Sequence, residues 1–275
     1  MICFPNAKIN LGLHVINKRE DGFHNLESLF LPVPLCDILE IAPLNKDSIN
    51  KFEYKAFGLA VDGELEKNLI YKAWLLLANK YDLSPISCAF YKNIPMGAGL
   101  GGGSSDAAFC LKLLNDYFKL GLSKNELLNY AAILGSDCPF FIENKPSFIS
   151  GRGEIIENFE LNLKGYHLVI VKPEVHISTA MAFSTVNKRG ENAKGELKGI
   201  LRQPISEWKN SLFNDFEKSI FPHAPIIEAI KNQLYTSGAI YASMSGSGSA
   251  VFGIFEKKQD LKSKFKEHFY FECEL

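Results

Sequence analysis

Five of the seven residues from 97 to 103 are glycine, and the surrounding stretch, Pro95 to Ala108, reads P-M-G-A-G-L-G-G-G-S-S-D-A-A. A loop stripped of side chains lets backbone N–H groups approach an oxyanion and take positive φ at little steric cost. An ordinary turn has no use for so long a run. Behind it Ala107, Ala108, Leu111, Leu114 and Phe118 recur at helical spacing, and Ser104, Ser105 and Asp106 suit a helix start. The spacing therefore predicts a helix whose positive end points into the loop, which is the arrangement of an anion site.

Two familiar phosphate loops do not fit. A Walker loop ends in Gly-Lys-Ser/Thr, whereas these glycines run into Ser-Ser with no lysine. Gly97, Gly99 and Gly102 satisfy G-x-G-x-x-G, but a dinucleotide fold needs a second strand ending in an acidic residue about twenty positions on. Residues 122 to 135 read instead as a second helix, opened by the capping-box pair Ser123 and Glu126.

Three further places carry reactive groups. Lys8 and Asn10 project from one face of a stretch in which Ala7, Ile9, Leu11, Leu13 and Val15 alternate with polar or small residues, the period of a half-buried strand. A cation beside an amide suits a hydroxyl or phosphate, and equally a solvated strand face. Asp137, released after the second helix in Ser136-Asp137-Cys138-Pro139, is by its local sequence a cap, a turn residue or an acid–base group. The turn Ser245-Gly246-Ser247-Gly248-Ser249 reads as a hairpin or as the wall of an active site.

These groups need a scaffold, and the chain supplies one. Its 275 residues are 47% hydrophobic, enough for one or two domains with a substantial core. The order is strand (7–15), polar turn (18–25), strands (26–33 and 37–42), an ambiguous stretch (45–65), a helix (66–81) and a strand (86–90) entering the glycine loop. Beyond a boundary placed at Gly151-Arg152-Gly153 come a strand (166–172), a short helix (178–186), helices (206–221 and 225–236), a strand-turn-strand (240–255) and a closing helix through Leu261, Phe265 and Phe269. A net charge of −1 without a basic stripe argues against a nucleic-acid partner. Six scattered cysteines (3, 36, 88, 110, 138 and 273) suggest neither zinc nor a disulfide framework. With no signal pattern and no apolar run of about 18 residues, the expectation is a cytoplasmic protein without a membrane partner.

Taken together, P-N-A-K-I-N-L at 5–11, the glycine stretch at 95–108 and M-S-G-S-G-S-A-V-F-G at 244–253 resemble the three ordered motifs of the GHMP small-molecule kinases, over essentially the full chain. D-G-F-H at 21–24, the doubled glycine before Ser-Ser and G-S-D-C-P-F-F at 135–141 are similar to the branch acting on a cytidylated methylerythritol in the non-mevalonate isoprenoid pathway. Mevalonate and homoserine kinases lack this combination.

The resemblance implies an α+β fold, with an ATP-binding α/β domain (1–152) and a ferredoxin-like domain (153–275). It implies ATP as co-substrate with Mg2+, and 4-diphosphocytidyl-2-C-methyl-D-erythritol as acceptor at its 2-hydroxyl. Lys8 and Asp137 would be the catalytic pair, the aspartate taking the hydroxyl proton while the lysine stabilises charge. ATP would lie on Pro95, Met96, Gly97, Ala98, Gly99, Leu100, Gly101, Gly102, Gly103, Ser104 and Ser105, with Asn68 near adenine. The magnesium ligand stays open between Ser104 and Ser105. Asn10, His24, Lys92 and Thr179 would line the acceptor site, and Phe23 and Phe183 would stack on cytosine from two sides. Phe23 stands where many relatives carry tyrosine, so the stack survives that change without a phenol hydrogen bond. The implied oligomeric state is a monomer or weak homodimer. Competing readings are a ligand sensor that has lost catalysis, against which the presence of both Lys8 and Asp137 counts, and a dinucleotide-dependent oxidoreductase.

Overall fold

A computed structural model describes all residues except 46, 47, 62, 185 and 187, and the side chains of Thr179, Ser184 and Glu191 also lie outside the description. The chain opens with β1 (Ile2–Cys3), β2 (Asn6–Lys18), β3 (His24–Cys36), β4 (Ile38–Pro43) and β5 (Phe52–Gly58). Next come α1 (Leu69–Ala78), β6 (Ile86–Lys92), α2 (Gly102–Phe118), α3 (Lys124–Leu134) and α4 (Cys138–Glu143). After β7 (Ser147–Ser150), β8 (Ile155–Asn158) and β9 (His167–Lys172) follow α5 (Thr179–Ser184), α6 (Glu196–Leu201), α7 (Ile205–Ser211), α8 (Phe216–Ile220) and α9 (Pro225–Thr236). The remaining strands are β10 (Tyr241–Met244), β11 (Val251–Phe255) and β12 (Phe269–Glu274).

The fold is α+β, and its two compact units interleave where a single cut after Arg152 was expected. One comprises Met1–Ala7, Pro34–Met96 and Gly101–Lys145, and the other Lys8–Val33, Gly97–Leu100 and Pro146–Leu275. The reason is sheet pairing, because the long strands β2 and β3 hydrogen-bond in one sheet with β7 and β8, which lie beyond residue 146.

In the first unit the sheet order is β1-β4-β6-β5, antiparallel except for the parallel pair β5 and β6. Strand β6 alternates as its sequence requires, burying Ile86, Cys88 and Phe90, while Tyr91 stays exposed. These residues join Leu39, Ile41, Phe52, Trp74, Leu77, Leu111 and Leu114 in one core, so α1 and α2 are held to the sheet by their apolar stripes. Helix α1 is capped by the Asn68 side-chain oxygen, which accepts from Ile70 N–H at 2.8 Å. The Ser123/Glu126 capping box opens α3 as expected. Helix α2 starts at Gly102, inside the glycine run and ahead of the serines, behind Gly101 with φ 70°.

In the second unit β9 to β12 form an antiparallel sheet ordered β10-β11-β9-β12, the strand order of a ferredoxin-like domain. Its core joins Val169, Val171, Met244 and Val251 to Phe216, Ile227, Ile230 and Leu234 from α8 and α9, and to Leu13 and Val15 of β2. Two expectations change here. Residues 269–274 are not helical: Tyr270 pairs with Val171 and Glu272 with Val169, so β12 supplies the partner that the edge of β9 needs. Residues 206–221 are not one helix but α7 and α8, parted at residues 212–215, where the backbone turns extended at Leu212.

Strand β2 is not half-buried. Lys8, Asn10 and His14, on its polar face, are 3%, 2% and 0% exposed. That face is covered by the C-terminal segments, so that a Cβ at Gly12 would stand 2.6 Å from the side chains of both Leu197 and Leu212.

Candidate active site

Lys8 is aimed by β2 at the glycine loop. Its Nζ donates to the Gly99 carbonyl at 3.0 Å and to Asn10 Oδ1 at 2.6 Å, and it lies 4.4 Å from the centre of the Phe30 ring. Asn10 is fixed in turn, its Nδ2 donating to Ser28 Oγ at 2.9 Å while Ser28 donates to the Gly12 carbonyl at 2.7 Å. The ammonium is therefore held by groups whose own positions are set by the strand.

The segment Gly97–Leu100 is clipped on both sides. Lys8 N–H donates to the Leu100 carbonyl at 2.9 Å, and Ala250 N–H donates to the Ala98 carbonyl at 3.1 Å. Ser245 Oγ joins the two sides, accepting from Asn10 N–H at 3.2 Å and donating to the Gly99 carbonyl at 2.8 Å. The Ser245–Ser249 turn is a hairpin joining the antiparallel pair β10 and β11, and the same turn packs on the glycine loop. Gly99 is obligatory there, because at φ 74° a Cβ would lie 1.9 Å from the Ser245 carbonyl oxygen.

A brace behind this turn escaped the reading of the sequence. Asn214 Nδ2 donates to the carbonyls of Met244 and Gly246, both at 2.8 Å, and Glu217 Oε1 accepts from Ser243 Oγ at 2.9 Å and Met244 N–H at 2.8 Å. Asp215 Oδ2 accepts from Val15 N–H at 2.9 Å and is clamped by Arg189. An Asn-Asp pair inside a supposed helix was the available signal, since both residues compete for backbone hydrogen bonds and favour breaks.

His24 and Phe183 lie together, rings stacked at 4.7 Å and 19°, with Phe183 edge-on to Phe216 at 4.8 Å. Burial, reinforced by Lys188 and Lys18, pulls the His24 pKa below its ordinary value, favouring a neutral ring. Phe23 is largely exposed, with the Arg152 guanidinium 5.0 Å from its ring centre. The two phenylalanines expected to sandwich a base thus already have neighbours, His24 and Phe216 for Phe183 and an arginine for Phe23. Thr179 begins α5, and its side chain lies outside the described residues.

In the first unit a cavity of about 260 Å³ is lined by Tyr54, Leu65, Asn68, Phe90, Met96 and Gly103, with Lys92 and Asp106 also on its wall. Asn68 is rigid, since its Nδ2 donates to Tyr54 Oη at 3.1 Å and its oxygen caps α1. Lys92, expected beside the acceptor, shares this cavity with Asn68, expected near adenine, and its Nζ bridges Asp37 and Asp106. Asp37 was not singled out from sequence and Asp106 was read only as a helix-start residue, because their meaning lies in partners far along the chain.

Asp137 occupies the N-cap position of α4, which is anchored by Pro139 and by buried Cys138, Phe140 and Phe141. Its side chain makes no capping hydrogen bond to that helix, so the cap reading of this residue does not hold. Burial pushes the adjacent Cys138 thiol up to about 12, making it an inert packing group that also bonds with Ser104. Ser105 Oγ is buried in α2 without a partner, whereas Ser104 is partly exposed. Mg2+ takes few protein ligands and keeps its waters and nucleotide phosphates, so Ser104 fits such an ion better than the buried Ser105. No cluster of three acidic, histidine or cysteine side chains among the described residues could hold a metal alone.

Residues 68–145 match the family described as GHMP kinases N terminal domain, and residues 197–270 match GHMP kinases C terminal. The chain is 56% identical over 276 residues, covering 100% of both sequences, to a 4-diphosphocytidyl-2-C-methyl-D-erythritol kinase of Bacteroides fragilis. It is 41% identical over 260 residues to the protein of that name from Chlorobium limicola, covering 92% of this chain and 88% of the relative. Among solved structures, a 4-(cytidine 5'-diphospho)-2C-methyl-D-erythritol kinase superposes with a TM-score of 0.77 at 29% identity, covering 92% of this chain and 90% of the other. Mevalonate kinase of Methanococcus jannaschii superposes at 0.73 with 14% identity, covering 100% of this chain and 98% of the other, a likeness of fold alone.

Proposed function

This chain belongs to the GHMP kinases, in the family of 4-diphosphocytidyl-2-C-methyl-D-erythritol kinases, and we propose that it transfers the γ-phosphoryl group of ATP to the 2-hydroxyl of that acceptor. The observation that carries this reading is the Lys8 ammonium seated on the Gly99 carbonyl, a cation built into a loop made of backbone. Phosphoryl transfer asks a protein chiefly for position and charge, and the clipped loop and braced lysine supply both.

In this reading the loop and the N-terminus of α2 bind the triphosphate, and the cavity beside Asn68 takes adenine. Lys8 neutralises charge on the moving phosphoryl group. Asp137, not engaged in capping α4, accepts the proton of the attacking hydroxyl. Ser104 would be the side chain offered to Mg2+, which would supply further neutralisation of the phosphates when bound. His24 and Phe183 present an aromatic platform for the cytosine, with Phe23 exposed beside the preceding turn. The reading of the glycine triplet as a dinucleotide site gives way to this one: no strand separates α2 from α3.

The test is ATP consumption with candidate acceptors in turn. Turnover with the cytidylated methylerythritol and none with mevalonate, homoserine or galactose is the expected pattern. Robust phosphorylation of a base-free acceptor alone would leave the GHMP assignment and remove the specific one. ATP binding without turnover on any acceptor would favour the sensor.

A further inference from the structure

Asp37 is the single residue between β3 and β4, fully buried, and both of its oxygens are used. Oδ1 accepts from the backbone N–H groups of Asn93 and Ile94 at 2.6 and 2.8 Å, in the segment that leads from β6 into the glycine loop. Oδ2 accepts from Lys92 Nζ at 2.5 Å, and the same Nζ donates at 2.8 Å to Oδ2 of Asp106, in the second turn of α2. The chain entering the loop and the helix leaving it are thus tied to one carboxylate through one ammonium.

The three residues are 0%, 2% and 4% exposed. Burial works against charge on Lys92, yet Asp106 and Asp37 outweigh it and raise the lysine pKa. Burying three ionisable groups is expensive, and isolated buried ion pairs often contribute nothing net to stability. A position-setting role gives the cluster a purpose that stability alone does not. Its fit against the loop is close: a Cβ at Gly102, the first residue of α2, would lie 3.0 Å from Lys92 Nζ and 2.9 Å from Ile94 Cγ2.

We propose that Asp37, Lys92 and Asp106 are positioning residues that set the span of the phosphate-binding loop, acting on the ATP phosphates and not on the acceptor. This rests on the reading that residues 97–105 hold the triphosphate. Lys92 has at most one N–H left after its two carboxylates, which leaves little for direct recognition of a second substrate.

The test compares Asp37→Asn and Asp106→Asn with the unaltered enzyme by calorimetry with ATP, ADP and adenosine, alongside KM for ATP and for the acceptor. Asp37→Asn keeps an oxygen for the two backbone N–H groups, and Asp106→Asn keeps the Asp37–Lys92 pair, so if one fails to fold the other still decides. Each is expected to lose roughly ten-fold or more in ATP and ADP affinity while acceptor KM stays within about two-fold, and Asp37→Asn, whose residue does not line the cavity assigned to adenine, should also keep adenosine affinity within about two-fold. Lys92→Arg, which preserves the bridge, should retain most ATP affinity. Equal losses for adenosine and ATP in Asp37→Asn, or a raised acceptor KM with ATP binding unchanged in either variant, would overturn the proposal. If the unaltered enzyme binds adenosine as tightly as ATP, the loop reading itself fails, which is a different result.

Discussion

Lys8 Nζ donates to Asn10 Oδ1 at 2.6 Å, so two side chains two positions apart on one face of β2 behave as one group. The amide turns the ammonium toward the Gly99 carbonyl and holds it there. Asn10→Ala leaves the charge but loosens its direction, and displacements of about 1 Å in such groups cost on the order of 10²-fold in rate. Turnover should fall by about that factor with ATP affinity nearly unchanged. Stopped-time assays with both substrates saturating will show it, and unaltered kcat would mean that Lys8 needs no such guide.

Asp137→Asn should lower kcat by roughly 10²- to 10⁴-fold, the range for loss of a general base, with little effect on ATP binding. The variant removes no capping bond, since the native carboxylate makes none to α4, so the helix should persist. Circular dichroism paired with turnover separates the two effects; a variant with near-native kcat would place the base elsewhere.

At Gly101 the native φ of 70° resists any side chain, and at Gly102 a Cβ would press on Ile94 and Lys92. Valine at either position should weaken ATP binding in a protein that still folds. Titration of both variants with ATP checks this, and native affinity in both would show that the loop does not carry the phosphates.

Phe183→Ala removes the ring that stacks on His24. With base stacking worth roughly 1–3 kcal/mol, KM for the cytidylated acceptor should rise about 5- to 150-fold while ATP binding holds. Phe183→Tyr should restore most of the effect, because it keeps the face; failure of that rescue would assign the loss to repacking against Phe216.

His14 is buried on β2 with neither ring nitrogen hydrogen-bonded, and burial, with Arg189 next, holds its pKa at about 4 against the pull of Asp215. The folded protein therefore disfavours the protonated ring. Between about 6.5, the ordinary value, and about 4 the unfolded chain binds a proton that the folded chain does not, so stability falls as pH drops through that window, by about 3 kcal/mol in total. Denaturation midpoints at pH 7 and pH 5 should diverge in the native protein and converge toward each other in His14→Gln. Identical pH dependence in the two would refute the assignment.

Much of this architecture is local and therefore readable. The glycine loop, the Ser123/Glu126 box and the proline start of α9 each depend on residues within one turn, and each stands where the spacing puts it. What depends on distant partners is not readable in that way. Lys8, Asn10 and His14 look like a solvent-facing row until Leu197 and Leu212 close over β2. Lys92 looks free until Asp37, 55 positions earlier, takes it. Phe265 and Phe269 have the spacing of a helix face, but six residues of backbone pairing with β9 outweigh that preference for residues 269–274.

The Gly99 peptide has a bearing on inhibition. Every other amino acid would bring a Cβ to within 1.9 Å of the Ser245 carbonyl oxygen, while Lys8 and Ser245 both donate to the carbonyl of residue 99. A compound anchored on this stretch of main chain would rest on a surface that mutation at position 99 cannot reshape without dislodging the lysine beside it. Drug resistance would have to arise elsewhere in the molecule.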